Sequence, residues 1–66
     1  MNNIRKVRLL IGWTQDQMAQ QLGISSRMLR DYEKGRPIPS DLLVAMHKLT
    51  GQSADYLLGL TKEENA

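Results

Sequence analysis

Thr14 to Gly35, TQDQMAQQLGISSRMLRDYEKG, is the stretch that most limits what this chain can become, because it spells two short helices with almost no linker between them. Thr14 is a hydroxyl residue suited to an N-cap, and Met18, Ala19 and Leu22 follow at helical spacing. Gly23 ends that helix, since glycine takes the positive φ that breaks the spiral, and Ile24 then folds back onto the apolar end of what precedes it. A second helix starts at once, with Ser25 as N-cap, Leu29 and Tyr32 on one face, and Ser26, Arg27, Arg30, Asp31 and Lys34 on the other. Gly35 and Pro37 stop it. A helix of about two turns does not persist alone in water, so the remaining residues must supply the surface on which this pair leans.

They do so on both sides. Asn2 or Asn3 can cap a first helix carrying Ile4, Val7, Arg8 and Ile11 as an inward stripe, and Gly12 terminates it. Leu9, Leu10 and Ile11 are more apolar than one helix face needs; at least one is expected to be partly exposed, with packing from a neighbouring helix favoured over a partner surface. Trp13 is expected to plug the junction, its indole N–H reaching a carbonyl or water. Arg36, Pro37, Ile38 and Pro39 form an extended connector. Ser40 is the expected N-cap of a fourth helix through Leu42, Leu43, Met46 and Leu49, ended by Gly51. Ser53 caps a short fifth helix with Ala54, Tyr56, Leu57 and Leu58, closed by Gly59. No strand alternation or internal repeat interrupts this pattern. The expectation is an all-α chain of five helices, one domain over residues 1–60 with a polar, frayed tail, TKEENA, over 61–66.

Composition narrows the function classes. A chain of 66 residues buries only about 60% of its unfolded surface, and with no Cys there is neither a disulfide nor a thiolate metal site to reinforce it. His47 is the lone histidine and cannot build a metal cluster, so no metal and no cofactor are expected. No apolar run approaches the roughly 20 residues of a membrane span, and MNNIRK is followed by no signal core, which predicts a soluble, cytoplasmic protein without membrane contact. Residues 1–36 hold seven Lys/Arg against three Asp/Glu, and residues 37–66 two against four, so a net +2 divides into +4 and −2. The basic half contains the central pair, which suits one face presented to a polyanion as well as an ordinary solvated surface.

Ile4, Val7 and Arg8, then Thr14-Gln15, Met18-Ala19, Leu22-Gly23-Ile24-Ser25, Leu29, Tyr32-Glu33, Gly35 and Pro39, and finally Ser53 with Asp55-Tyr56-Leu57-Leu58-Gly59, together resemble the helix-turn-helix DNA-binding domains of phage repressor and Cro type, the XRE family. The resemblance covers about residues 3–60. It implies a compact, lambda-repressor-like fold of five helices whose second and third form the helix-turn-helix, the third lying in the major groove of double-stranded DNA. It also places Ser26, Arg27 and Asp31 where base-reading side chains sit. Gln15 falls, with Thr14 at the same helix start, where a backbone phosphate is held, and Ser25 lies close by. Arg8 and Glu33 occupy positions that similar domains join in a largely buried salt bridge.

The residues fit these roles chemically. Arg27 can make a bidentate contact to guanine O6 and N7, Ser26 can bond several base edges, and Asp31 can accept from cytosine N4 or instead pair with Arg27 one turn away. Arg30 suits phosphate or base, Met28 a thymine methyl or the core, and Lys34 and Arg36 the phosphates. The connector Pro37-Ile38-Pro39-Ser40-Asp41 lacks the cations some relatives carry there, which predicts fewer backbone contacts and weaker binding by a monomer. His47 is expected to be half-buried and satisfied. Ile38, Tyr56, Leu58 and Leu60 are candidates for a small self-contact giving a weak homodimer, strengthened on DNA.

The function expected is therefore sequence-specific DNA binding by a transcriptional regulator of bacterial or phage origin, a repressor acting by operator occupancy. With no sensor segment after residue 60, it would be either a minimal Cro-like regulator or a domain of a longer repressor. The alternative is an antitoxin-like or other interaction module whose helix-turn-helix docks a protein partner. An enzyme is not expected, for there is one His, no nucleophile elbow, no glycine-rich phosphate loop and no carboxylate pair in an evident cleft, and no small-molecule substrate is evident.

Overall fold

The computed structural model describes residues 2–62; Met1 and most of the expected tail, residues 63–66, lie outside the described residues. Five helices follow one another: α1 (Ile4–Ile11), α2 (Gln15–Leu22), α3 (Ser26–Glu33), α4 (Ser40–Thr50) and α5 (Ala54–Leu58). No strand occurs among the described residues. The α2–α3 pair packs on itself and on a frame made by α1, α4 and α5.

The helix ends are set locally. Thr14 Oγ1 accepts from the Gln17 N–H at 3.1 Å while Gln17 Oε1 accepts from the Thr14 N–H at 2.9 Å, a reciprocal cap at the start of α2. At its other end Gly23 adopts φ 71°, and the Ile24 N–H reaches back to the Ala19 carbonyl at 3.0 Å. That bond turns the chain directly into α3, where Ser25 Oγ accepts from the Met28 N–H at 3.1 Å. Ser53 caps α5 in the same way, accepting from the Tyr56 N–H at 3.1 Å.

Ile4, Val7, Met18, Ala19, Leu29, Tyr32, Met46, Tyr56 and Leu57 form the core, with Trp13, Leu22, Ile24, Ile38, Leu42 and Leu43 packed around it. Every helix contributes, so the five small apolar stripes bury one another. Asparagines close the far side: Asn2 Nδ2 donates to the Tyr32 carbonyl at 2.6 Å, Asn3 Nδ2 to the Tyr56 carbonyl at 2.7 Å, and the Asn3 N–H to the Leu57 carbonyl at 3.0 Å. The chain before α1 is thereby tied to the ends of α3 and α5.

Two expectations are corrected. Ile11 does not belong to the inward stripe; it is 42% exposed, and Leu9 and Leu10 are 55% and 64% exposed. Gly12 ends α1 before a further turn could bring another helix over them, so the favoured reading of these residues as packed against a neighbour is overturned. At α4 the cap position belongs to Pro39, not Ser40: its φ of −58° and ψ of 146° suit that position, and its carbonyl accepts from the Leu43 N–H at 2.9 Å. At α1 the asparagines serve the helix start as expected: Asn3 holds the cap position, its Nδ2 donating to the Tyr56 carbonyl, and Asn2 Oδ1 accepts from the Ile4 N–H at 3.2 Å.

A Cβ added at Gly23 would meet nothing within 4 Å, so only the backbone conformation opposes substitution there. Gly23→Ala should lower stability by about 1–2 kcal/mol, read by urea denaturation, with little change in the slope of the transition.

Candidate nucleic-acid interface

Arg8 is buried, at 7% exposure, and pairs with the equally enclosed side chain of Glu33. Its Nε donates to Glu33 Oε2 at 2.7 Å, its Nη2 to Glu33 Oε1 at 3.3 Å and its Nη1 to the Trp13 carbonyl at 2.9 Å. Gln15 Nε2 adds a fourth bond, to Glu33 Oε1 at 3.1 Å. The Glu33 carboxylate at the end of α3 thus joins α1 and the first residue of α2, while the Arg8 guanidinium also holds the α1–α2 junction. The Gln15 amide, expected at a phosphate, is turned inward to this network. The cap of α2 takes up the N–H groups of Thr14 and Gln17, which leaves those of Gln15 and Asp16 at the positive end of the helix without an intrahelical partner.

The exposed side of α3 is cationic. Arg27, Arg30 and Lys34 are exposed along it, and Met28 is partly so. Ser26, half-buried, donates its hydroxyl to Asp16 Oδ1 across the turn. Asp31 does not pair with Arg27; its carboxylate lies 3.8 Å from Arg36 Nη1. The Arg36 guanidinium also stacks over the Tyr32 ring, 5.6 Å from its centroid, so the chain leaving α3 carries its charge folded against the helix. The Arg36 N–H bonds back to the Asp31 carbonyl at 3.1 Å, which fixes this turn.

Other expected residues fall elsewhere. Tyr56 is 1% exposed and belongs to the core, so it is removed from the self-contact candidates: its ring lies against α1, its centroid 6.0 Å from Lys6 Nζ. Ile38 is half-buried against the core, while Leu58 and Leu60 are exposed. His47 is exposed rather than half-buried, and its Nδ1 donates to the Gln52 carbonyl at 2.7 Å, an arrangement that closes the α4–α5 turn. No group of three or more potential metal ligands and no helix long and apolar enough to cross a membrane occur among the described residues.

Sequence reasoning did not assign roles to Asp16 or to the carbonyl of Trp13, and gave the two asparagines before α1 a capping role only. Asp16 had a signal, since the second residue of the first helix in so tight a turn faces the start of the next. The asparagine bonds, spanning 30 and 53 residues, had none.

A family model described as Helix-turn-helix matches residues 4–57. The chain is 34% identical over 61 residues to the uncharacterized HTH-type transcriptional regulator YobD of Bacillus subtilis (strain 168), an alignment covering 91% of this chain and 54% of that protein. The chain therefore spans about half the length of the curated relative it matches. No solved structure matches it. With the family pattern running from the first residue of α1 into α5, this chain belongs to the Cro/C1-type (XRE) helix-turn-helix family.

Proposed function

We propose that the chain is a sequence-specific double-stranded DNA-binding domain of a transcriptional regulator, acting as a repressor by occupying an operator in a bacterial or phage-infected cell. The observation that carries this reading is the exposed face of α3. Arg27 and Arg30 stand on its first two turns, Lys34 and Arg36 at its far end, and both helices of the pair are capped so that the face is held rigidly. Family membership and the transcriptional-regulator name of the relative support it.

In this reading α3 enters the major groove. Arg27 reads guanine through O6 and N7, Met28 touches a thymine methyl, and Arg30 lies between base and backbone. The free N–H groups of Gln15 and Asp16, with Thr14 and Ser25 beside them, receive a phosphate, and Lys34 and Arg36 receive others. Asp31 can still turn to a cytosine amine, because its exposed pair with Arg36 is worth at most about 1 kcal/mol. Ile38, Leu58 and Leu60 offer a small contact between two copies that matters chiefly when DNA holds them side by side. Repression then needs no chemistry.

The exposed ridge Leu9-Leu10-Ile11 favours one further reading, a protein partner docked on α1. Purification in a stoichiometric complex that binds no duplex would replace the DNA reading by it.

Selection from a random duplex library at near-physiological salt should enrich a palindrome with half-sites centred about 34 Å apart. The absence of any enriched sequence from well-folded protein would contradict this. The logarithm of the binding constant should fall with the logarithm of salt by about 0.9 per phosphate contacted, and Lys34→Ala should reduce that slope by about 1 without changing base preference. Arg27→Ala should cost about 1–3 kcal/mol on the selected site and far less on random DNA; equal losses on both would place Arg27 on the backbone.

A further inference from the structure

A serine hydroxyl has a single hydrogen, and it can serve a base edge as donor or as acceptor. Unconstrained, it therefore distinguishes bases poorly. In this protein the choice is made before DNA arrives. Ser26 Oγ and Asp16 Oδ1 are hydrogen-bonded, and a carboxylate only accepts, so the hydrogen lies on the Asp16 side and Ser26 turns lone pairs outward.

We propose that Asp16 is a positioning residue that makes Ser26 an acceptor-only reader of the major groove. The base facing Ser26 must then present an exocyclic amine, adenine N6 or cytosine N4; guanine and thymine offer only oxygen and ring-nitrogen acceptors along the edges concerned and are rejected. This rests on the DNA-binding reading above.

The geometry supports a fixed orientation rather than a passing contact. Asp16 is the second residue of α2, a helix held by its reciprocal Thr14–Gln17 cap and by the Gln15 bond to Glu33. Ser26 is the first residue of α3, held by the Ser25 cap and by the Gly23 turn, which gives the two helices one relative placement. Both backbones are thus fixed, so the two side chains meet without any rearrangement of the helices. The Asp16 carboxylate also adds negative potential beside the hydroxyl, which favours an amine and disfavours a carbonyl at the same place.

The test compares the wild type, Ser26→Ala and Asp16→Ala by selection from a random duplex library, with circular dichroism and melting to confirm folding. The wild type should show adenine or cytosine at the half-site position that loses its preference in Ser26→Ala. Asp16→Ala should keep the rest of the site while admitting guanine or thymine at that position, because the freed hydroxyl can then donate. In binding titrations, replacing the selected adenine by purine, or the selected cytosine by pyrimidin-2-one, deletes the amine. It should weaken the wild type about tenfold and leave Ser26→Ala nearly unchanged.

Guanine or thymine at the Ser26-dependent position overturns the proposal. So does an unchanged preference in Asp16→Ala, an equal loss in wild type and Ser26→Ala on amine deletion, or an enriched site with no position that depends on Ser26. Each of these leaves DNA recognition standing. Failure of the wild type to enrich any site removes the DNA reading itself, and the proposal with it.

Discussion

The Arg8–Glu33 ion pair is the interaction on which the rest of this structure depends. The side chains are 9% and 4% exposed, so two charges have been taken out of water in a domain with little stability to spare. Such a pair is tolerable only when its hydrogen-bonding groups are satisfied, and here Trp13 and Gln15 supply the additional partners. No buried side-chain nitrogen or oxygen among the described residues lacks a partner. The pair does more than balance charge. It binds the last residue of α3 to the middle of α1 and to the first residue of α2, so the angle between the two central helices is anchored at the end of α3 and the start of α2.

That anchoring explains how a five-helix chain of this size presents short helices rigidly. α2 and α3 are eight residues each, too short to hold themselves, and each is fixed at its N-terminus by a hydroxyl cap and along one side by the core. The face left over carries arginines, the serine bonded to Asp16 and the positive end of α2. That face is therefore assembled from side chains whose backbones are already ordered, and in the proposed reading this keeps the entropic cost of association low.

Much of this was legible in the residues, for specific reasons. Thr14, Gly23, Ser25 and Ser53 act through contacts within a few residues of themselves, so their roles follow from local chemistry. Met18, Leu29, Tyr32 and Leu57 lie on regular stripes and are found in the core. Where reading failed, the deciding contact was distant or the helix was cut short. Ile11 completes a stripe on paper, but α1 ends beneath it at Gly12 and nothing packs above. Tyr56 reads as amphipathic, yet the gap beside α1 takes its ring. Asp31 faces Arg27 at helical spacing, yet Arg36 reaches it from the turn beyond α3. The candidate interface was legible as a set of residues, whereas its hydrogen-bond directions, above all Ser26 to Asp16, required the placement of one helix against the other.

The central claim is that the exposed face of α3 with the first turn of α2 is the surface that meets duplex DNA. The most direct measurement is an amide NMR titration of the isotopically labelled protein with a duplex of the selected sequence. The account predicts the largest changes at Gln15, Asp16, residues 25–31, Lys34 and Arg36, with Leu9, Leu10 and His47 nearly still. Changes centred on Leu9 to Ile11, with α3 unmoved, would contradict it.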